Sequence, residues 1–246
     1  MRFSMKRTFW GLFLLFLIFP SSEAAAGKTS NHLHDGYFLY IPSHMQHGRK
    51  VPVLIALPGN GISPKDDVRL WRPTAEREGF FVVDLDMNYD MLKNDADIRK
   101  LHERIRQTLE DLSGRYIFDA PELYIAGTSA GAVSALALSL RFPETYHYSG
   151  LVSGGTMYFD SEEYLKNASN LKYMVIHGED DPSIDVGKIY TTKKILEDNG
   201  AKVVLKIIPN GKHALPRSAY RDVVLWFHSI YESPQRKFFR FLRGGF

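Results

Sequence analysis

The sequence predicts an α/β fold, a mostly parallel central sheet with helices on both faces. Three observations carry that expectation. Short, nearly all-apolar runs of strand length alternate with longer segments whose apolar residues recur at helical spacing, the pattern of βαβ units. One such run passes directly through Gly127-Thr128-Ser129-Ala130-Gly131 into an Ala/Leu-rich segment, a strand, a sharp turn and a helix in succession. The 246 residues, less a leader and a tail, are a length that one hydrophobic core serves.

Residues 1–26 read as an export signal. Arg2, Lys6 and Arg7 make a basic start, residues 9–19 an apolar run interrupted by Gly11, and Ser22-Glu23-Ala24 or Ala24-Ala25-Ala26 a cleavage site with small residues where a signal peptidase needs them. That apolar run is well short of the roughly 20 residues that cross a bilayer; the alternative is an uncleaved membrane anchor. A catalytic domain is expected over 27–232, secreted or periplasmic. Strands are expected at 36–42 and 51–57. A short buried run follows at 80–85, then a helix over 95–112, where Ile98, Leu101, Ile105, Leu109 and Leu112 share a face and Gly114 stops it. Residues 123–126 enter the Gly-x-Ser-x-Gly turn, and the helix beyond it ends near Pro143. Further strands are read at 151–152, 173–176 and 203–208, with a helix ending at Asn199-Gly200 and a last helix over 223–230. Residues 233–246 form a tail in which Arg236, Lys237, Arg240 and Arg243 alternate with Phe238, Phe239, Phe241, Leu242 and Phe246. Such a tail suits an anionic membrane surface, or is a variable terminus without function.

Composition excludes several chemistries. With no cysteine there is no disulfide framework, thiolate metal site or thiol nucleophile. The formal net charge of +3 is too small to argue for nucleic acid. The basic residues of leader and tail exceed it, so the region between them is slightly acidic.

Gly127 to Gly131 fits the nucleophile elbow, in which glycines flank a serine because the turn brings those positions too close for side chains. The backbone N–H of Ala130 then lies at a helix start, where negative charge is stabilised; a phosphate-holding βα loop is the alternative reading. A serine hydroxyl needs a base, and the base an orienting carboxylate. In a turn of this kind the expected chain order is serine, acid, histidine. His177-Gly178-Glu179-Asp180-Asp181 ends one buried strand and supplies Asp181, with Asp180 as the alternative acid. Gly211-Lys212-His213 follows the next strand and supplies His213. Both loops leave the carboxyl ends of strands, the edge on which the elbow opens. His177 reads as a strand-end histidine packing its ring and His228 as a partly buried helix residue, while His32, His34, His44, His47, His102 and His147 precede the elbow or lie too near it. A metal at His32/His34 would have two ligands, too few for a closed site. Asp185 reads as the cap of the following helix. Leu57-Pro58-Gly59-Asn60-Gly61 offers the second oxyanion donor, the N–H of Asn60, with Gly61 next; the alternative is an ordinary Pro-Gly turn.

These blocks, together with Leu140-Arg141-Phe142-Pro143-Glu144-Thr145 and the 149–155 strand, resemble an α/β-hydrolase. The chain is most similar to the exported, cap-less serine esterases that include polyhydroxybutyrate depolymerases and feruloyl or acetylxylan esterases. Members usually carry His-Gly where this chain has Pro58-Gly59. The resemblance spans about 36–230. It implies acyl transfer to water by Ser129, His213 and Asp181, an oxyanion hole of the Asn60 and Ala130 amides, no metal or organic cofactor, and an ester substrate, polymeric or derived from the plant cell wall. The segment between Gly155 and Leu171 is too short for a helical cap, so an open site is expected. A peptidase of the same fold and a non-catalytic hydrolase-fold binding protein are the alternatives. Asn167-Ala168-Ser169 also matches a glycosylation sequon.

Overall fold

A computed structural model describes residues 32–34, 36–44, 50–88, 92, 94–157 and 161–231. The export signal and the basic tail read from the sequence lie outside the described residues.

Eight strands form one sheet: β1 (His32–His34), β2 (Tyr37–Tyr40), β3 (Val51–Leu57), β4 (Phe81–Leu85), β5 (Phe118–Thr128), β6 (Tyr148–Val152), β7 (Lys172–Gly178) and β8 (Lys202–Ile208). Their order is β1-β2-β4-β3-β5-β6-β7-β8. The β1–β2 and β2–β4 pairs are antiparallel, and every pair from β4 onward to β8 is parallel. Five helices cover the faces: α1 (Pro64–Glu78), α2 (Asp95–Ser113), α3 (Ala130–Arg141), α4 (Val186–Asp198) and α5 (Arg217–Ile230). The mostly parallel sheet with helices on both faces is the fold read from the sequence.

Alternate residues of the buried strands feed two cores, as the period of two in a strand requires. Ile55, Leu57, Val83, Ile125 and Leu151 point to the side of α2, α3 and α4. Leu54, Ala56, Val82, Tyr124 and Ile176 point to the side of α1 and α5, where Trp71, Val223 and Phe227 are fully buried. Because both faces are covered, β3 is buried at every position and reads as an unbroken apolar run. In α2, the residues Ile98, Leu101, Ile105 and Leu112 are all buried, as their spacing predicts.

Two elements were not read from the sequence. β1 adds a short antiparallel edge, and α1 is a 15-residue helix. Its apolar stripe is thin, and Pro73 sits inside it. Its end signals were nevertheless present: Ser63 accepts the Asp66 amide as an N-cap, Pro64 occupies the first turn, and Gly79 closes the helix at φ 79°. Between β6 and β7, among the described residues, the chain forms one 3-10 helix, Ser161–Asn167, and no cap layer. The sequon asparagine is engaged there, its Nδ2 donating to the Leu140 carbonyl at 2.8 Å.

Under the β3–β4 edge, α1 places Asp67 against Asp84 of β4, and both residues are completely buried. The Trp71 indole N–H donates to Asp67 Oδ2 at 2.7 Å. Asp67 Oδ1 and both Asp84 oxygens meet no other donor, because two ionised carboxylates can accept but not donate. A proton on Asp84 would resolve this by donating to the facing Asp67 carboxylate. Burial, followed by the Asp67 charge, pushes the Asp84 carboxyl well above the ordinary range. A carboxyl whose pKa rises on folding contributes stability that is present below its unfolded value, about 3.9, and is lost as pH rises toward its folded value. Asp84→Asn keeps a donor and removes that proton dependence. The variant's stability advantage over the native chain, read by urea unfolding at a series of pH values, is therefore expected to grow above about pH 4, with a limiting slope of about 1.4 kcal/mol per pH unit.

Candidate active site

Parallel pairing brings the carboxyl ends of β3, β5, β6, β7 and β8 to one edge, where loops from different strands can meet. At the end of β5 the chain turns sharply at Ser129, with φ 54° and ψ −117°, and enters α3 at Ala130. A non-glycine residue there costs on the order of 1–3 kcal/mol. The turn is held by its surroundings: the Ser129 amide donates to the Val152 carbonyl of β6 at 2.9 Å. A Cβ on Gly127 would stand 2.2 Å from the Gly131 carbonyl, and one on Gly131 2.0 Å from the Leu57 oxygen. Neither position admits a side chain, so α3 packs directly on the backbone of β3 and β5.

β7 ends at Gly178, and the loop beyond it carries the acid. The Glu179 amide donates to the Ile208 carbonyl at 3.0 Å and the Asp180 amide to the Gly211 carbonyl at 2.9 Å, stitching this loop to the one that carries His213. Asp181 turns inward with a fully buried side chain. Its Oδ1 accepts the amides of Ser183 at 2.8 Å and Ile184 at 3.1 Å. Its Oδ2 lies 2.8 Å from His213 Nδ1. Burial by itself raises the Asp181 pKa, but the bonds from His213 and the two amides outweigh it, and the carboxyl is held below its ordinary value. An ionised carboxylate accepts, so His213 Nδ1 carries the hydrogen and Nε2 is left to accept. His213 Nε2 is 2.9 Å from Ser129 Oγ. The structure thus brings Ser129, His213 and Asp181 into one chain of hydrogen bonds. Asp180, the neighbour that spacing alone left open, points to the surface and pairs with Lys212 at 3.2 Å.

The loop after β3 runs beside the serine. Its Ile62 amide closes a turn onto the Gly59 carbonyl at 3.1 Å, with Asn60 and Gly61 exposed at its crown. A Cβ on buried Gly59 would lie 3.6 Å from Ser129 Cβ, so the loop before Asn60 passes beside the serine, and Ala130 opens the first turn of α3 directly after it. The first amides of a helix have no partner within it and attract negative charge.

Two other histidines among the described residues, His102 and His228, are engaged elsewhere. His102 stacks on Phe142 at 3.8 Å between ring centres and meets the Tyr146 hydroxyl at 3.0 Å. His228 differs from the sequence reading: it is half exposed and faces Glu78 at 3.6 Å, because it projects from the outer side of α5. Asp185 caps α4 through the Gly187 amide. His177 is buried as expected for a strand-end ring, but its polar contacts, with Ile184 and Asp181, were not read from the sequence; their signal was the His-x-x-x-Asp spacing that closes one loop. Among the described residues, no three His, Asp or Glu side chains are grouped to hold a metal ion.

The solved structures of similar fold include esterases and a putative dipeptidyl aminopeptidase IV from Bacteroides ovatus. A thermostable esterase is 21% identical with a TM-score of 0.55, over 83% of this chain and 58% of that one. This chain therefore spans less than two thirds of that enzyme. Esterase PE8 is 20% identical with a TM-score of 0.64, over 78% of this chain and 97% of that one. A feruloyl esterase module from Clostridium thermocellum is 13% identical with a TM-score of 0.63, over 80% and 84%. At these identities the likeness is one of fold. Curated protein sequences yield no significant match. The phospholipase/carboxylesterase family profile matches residues 75–228, from within α1 to α5 and across the loops of Ser129, Asp181 and His213; the chain belongs to that family and has the α/β-hydrolase fold.

Proposed function

We propose that this protein is an exported serine hydrolase that cleaves carboxylic esters through an acyl-enzyme intermediate. The observation that carries the reading is the alignment of Ser129 Oγ, His213 and Asp181 at 2.9 and 2.8 Å. His213 Nε2 takes the serine proton as Oγ attacks the ester carbonyl, and returns it to the departing alcohol. Asp181 keeps the imidazole in the Nδ1–H tautomer and balances the imidazolium that forms. The amides of Asn60 and Ala130 receive the negative oxygen of the tetrahedral intermediate. Water then enters, is deprotonated by His213, and releases the acid from Ser129. Neither metal nor organic cofactor is required by these steps. Among the described residues the chain between β6 and β7 forms no cap layer, which favours accessible esters on polymers, including those of plant cell walls.

Two tests address the chemistry. Ser129→Ala is expected to lower kcat toward esters by about 10⁶ with an unchanged melting temperature, and to abolish the labelling by a fluorophosphonate that the native chain shows. Retained ester hydrolysis by that variant would overturn the reading, and faster turnover of peptide anilides than of aryl or feruloyl esters would redirect it to peptidase. Asp181→Ala is expected to cost about 10⁴ in kcat, on the scale seen for the acid of a serine triad. Asp180→Ala, which loses a surface pair with Lys212, should stay within a few-fold of native. Export is tested by the mass of the mature chain recovered outside the cytoplasm: cleavage after Ala24 or Ala26 is expected, and an intact N-terminus retained in the membrane fraction would favour the anchor instead.

A further inference from the structure

His177 sits at the end of β7, entirely buried, one residue before the loop that carries Asp181. A buried imidazole must satisfy its ring nitrogens or lose about 1–3 kcal/mol for each one left dry. Its Nε2 lies 2.9 Å from the Ile184 carbonyl oxygen and 3.5 Å from Asp181 Oδ2. Its Nδ1 has no partner. A carbonyl can only accept, so Nε2 carries the hydrogen, and the bare nitrogen is Nδ1, where an unshared lone pair costs less than an unshared N–H.

This bond closes a bracket. Ile184 is gripped at both ends of its backbone: its N–H donates to Asp181 Oδ1 at 3.1 Å, and its carbonyl accepts from His177. Asp181 in turn holds His213 at 2.8 Å. The strand-end ring therefore connects through Ile184 to the acid, and the same ring edge faces the oxygen that His213 uses.

We infer that His177 is a positioning residue, fixing through Ile184 the loop that aims Asp181 at His213. It touches neither substrate nor reacting atoms. The inference rests on the serine-hydrolase reading, since the quantity it controls is the orientation of the triad acid. A displacement of about 1 Å at a reacting centre can cost about 10²-fold in rate. The bracket thus has leverage far larger than one hydrogen bond's contribution to stability.

The test compares His177→Leu and His177→Gln in the full chain. His177→Leu is expected to lower kcat about 10- to 100-fold with KM within about twofold. His177→Gln, whose amide nitrogen can supply the lost donor to the Ile184 carbonyl, should recover most of the rate. A loss through general unfolding would lower the active fraction titrated by a fluorophosphonate rather than kcat per labelled site. Native kcat in folded His177→Leu overturns the inference, as does a Gln variant no better than Leu. Should both variants be insoluble, the ¹⁵N imidazole spectrum of the native protein decides: a proton on His177 Nε2 with Nδ1 bare is expected, and a proton on Nδ1 alone overturns it. Ser129→Ala separates the two levels, because an inactive Ser129→Ala beside a fully active His177→Leu sinks the positioning role and leaves the triad standing.

Discussion

The contact on which the site depends is between backbones: α3 enters over β3 so closely that a Cβ on Gly131 would stand 2.0 Å from the Leu57 oxygen. Side chains ordinarily hold helices 8–10 Å from what they pack against, and that distance would separate the serine turn from the loop after β3. Glycine removes the spacer. The serine is thereby brought beside Gly59 of the loop after β3. The unfavourable dihedrals of Ser129 follow from the same closeness, because a strand that must reverse into a helix over its neighbour's backbone has no relaxed path. The cost is met by the fully buried cores on both sides of β5 and by the Ser129 to Val152 hydrogen bond.

The second half of the site is assembled on a similar principle with different atoms. The acid loop and the histidine loop are joined by backbone bonds from Glu179 and Asp180 to Ile208 and Gly211, so the two move as one body. Within it, Asp181 is satisfied three times, by two amides and by His213. A carboxylate with that many donors is held ionised despite its burial. The third layer is His177, which constrains the residue that constrains the acid.

How much of this was legible in the sequence depends on the range of the interaction. The elbow was readable because its glycines, serine and flanking strand are contiguous, and the strand and helix periods from Val51 to Ile230 follow from which face each residue buries. The choice between Asp180 and Asp181 was not, since a loop places adjacent residues on opposite sides and spacing carries no information about which side is inward. What decides it is tertiary: Lys212 pairs with Asp180 at the surface, while two amides and His213 hold Asp181 inward. Helix α1 was missed for a physical reason. Its buried face includes Asp67 and Thr74 among Val68, Trp71 and Ala75, so the apolar pattern is broken where it meets Asp84. Asp67 and Asp84 stand apart in the sequence, and nothing in the residue types alone says that the two carboxyls meet.

Burial separates Asp181 from the other two aligned residues, and the difference bears on the proposed mechanism. Ser129 is partly exposed, the His213 side chain is 32% exposed, and the Asp181 side chain is fully buried. Charge interactions strengthen as water is excluded, so the ion pair that the proposed mechanism forms between His213 and Asp181 sits where attraction is greatest. The nucleophile sits where a substrate can arrive. With no cap layer between β6 and β7 among the described residues, the proposed mechanism leaves the substrate itself to displace water over Ser129. An ester carried on a large or polymeric body covers more of that surface than a small one, and so completes the desolvation that a lid provides in enclosed sites. On the proposed function, the connection between β6 and β7 therefore bears on selectivity as well as on access.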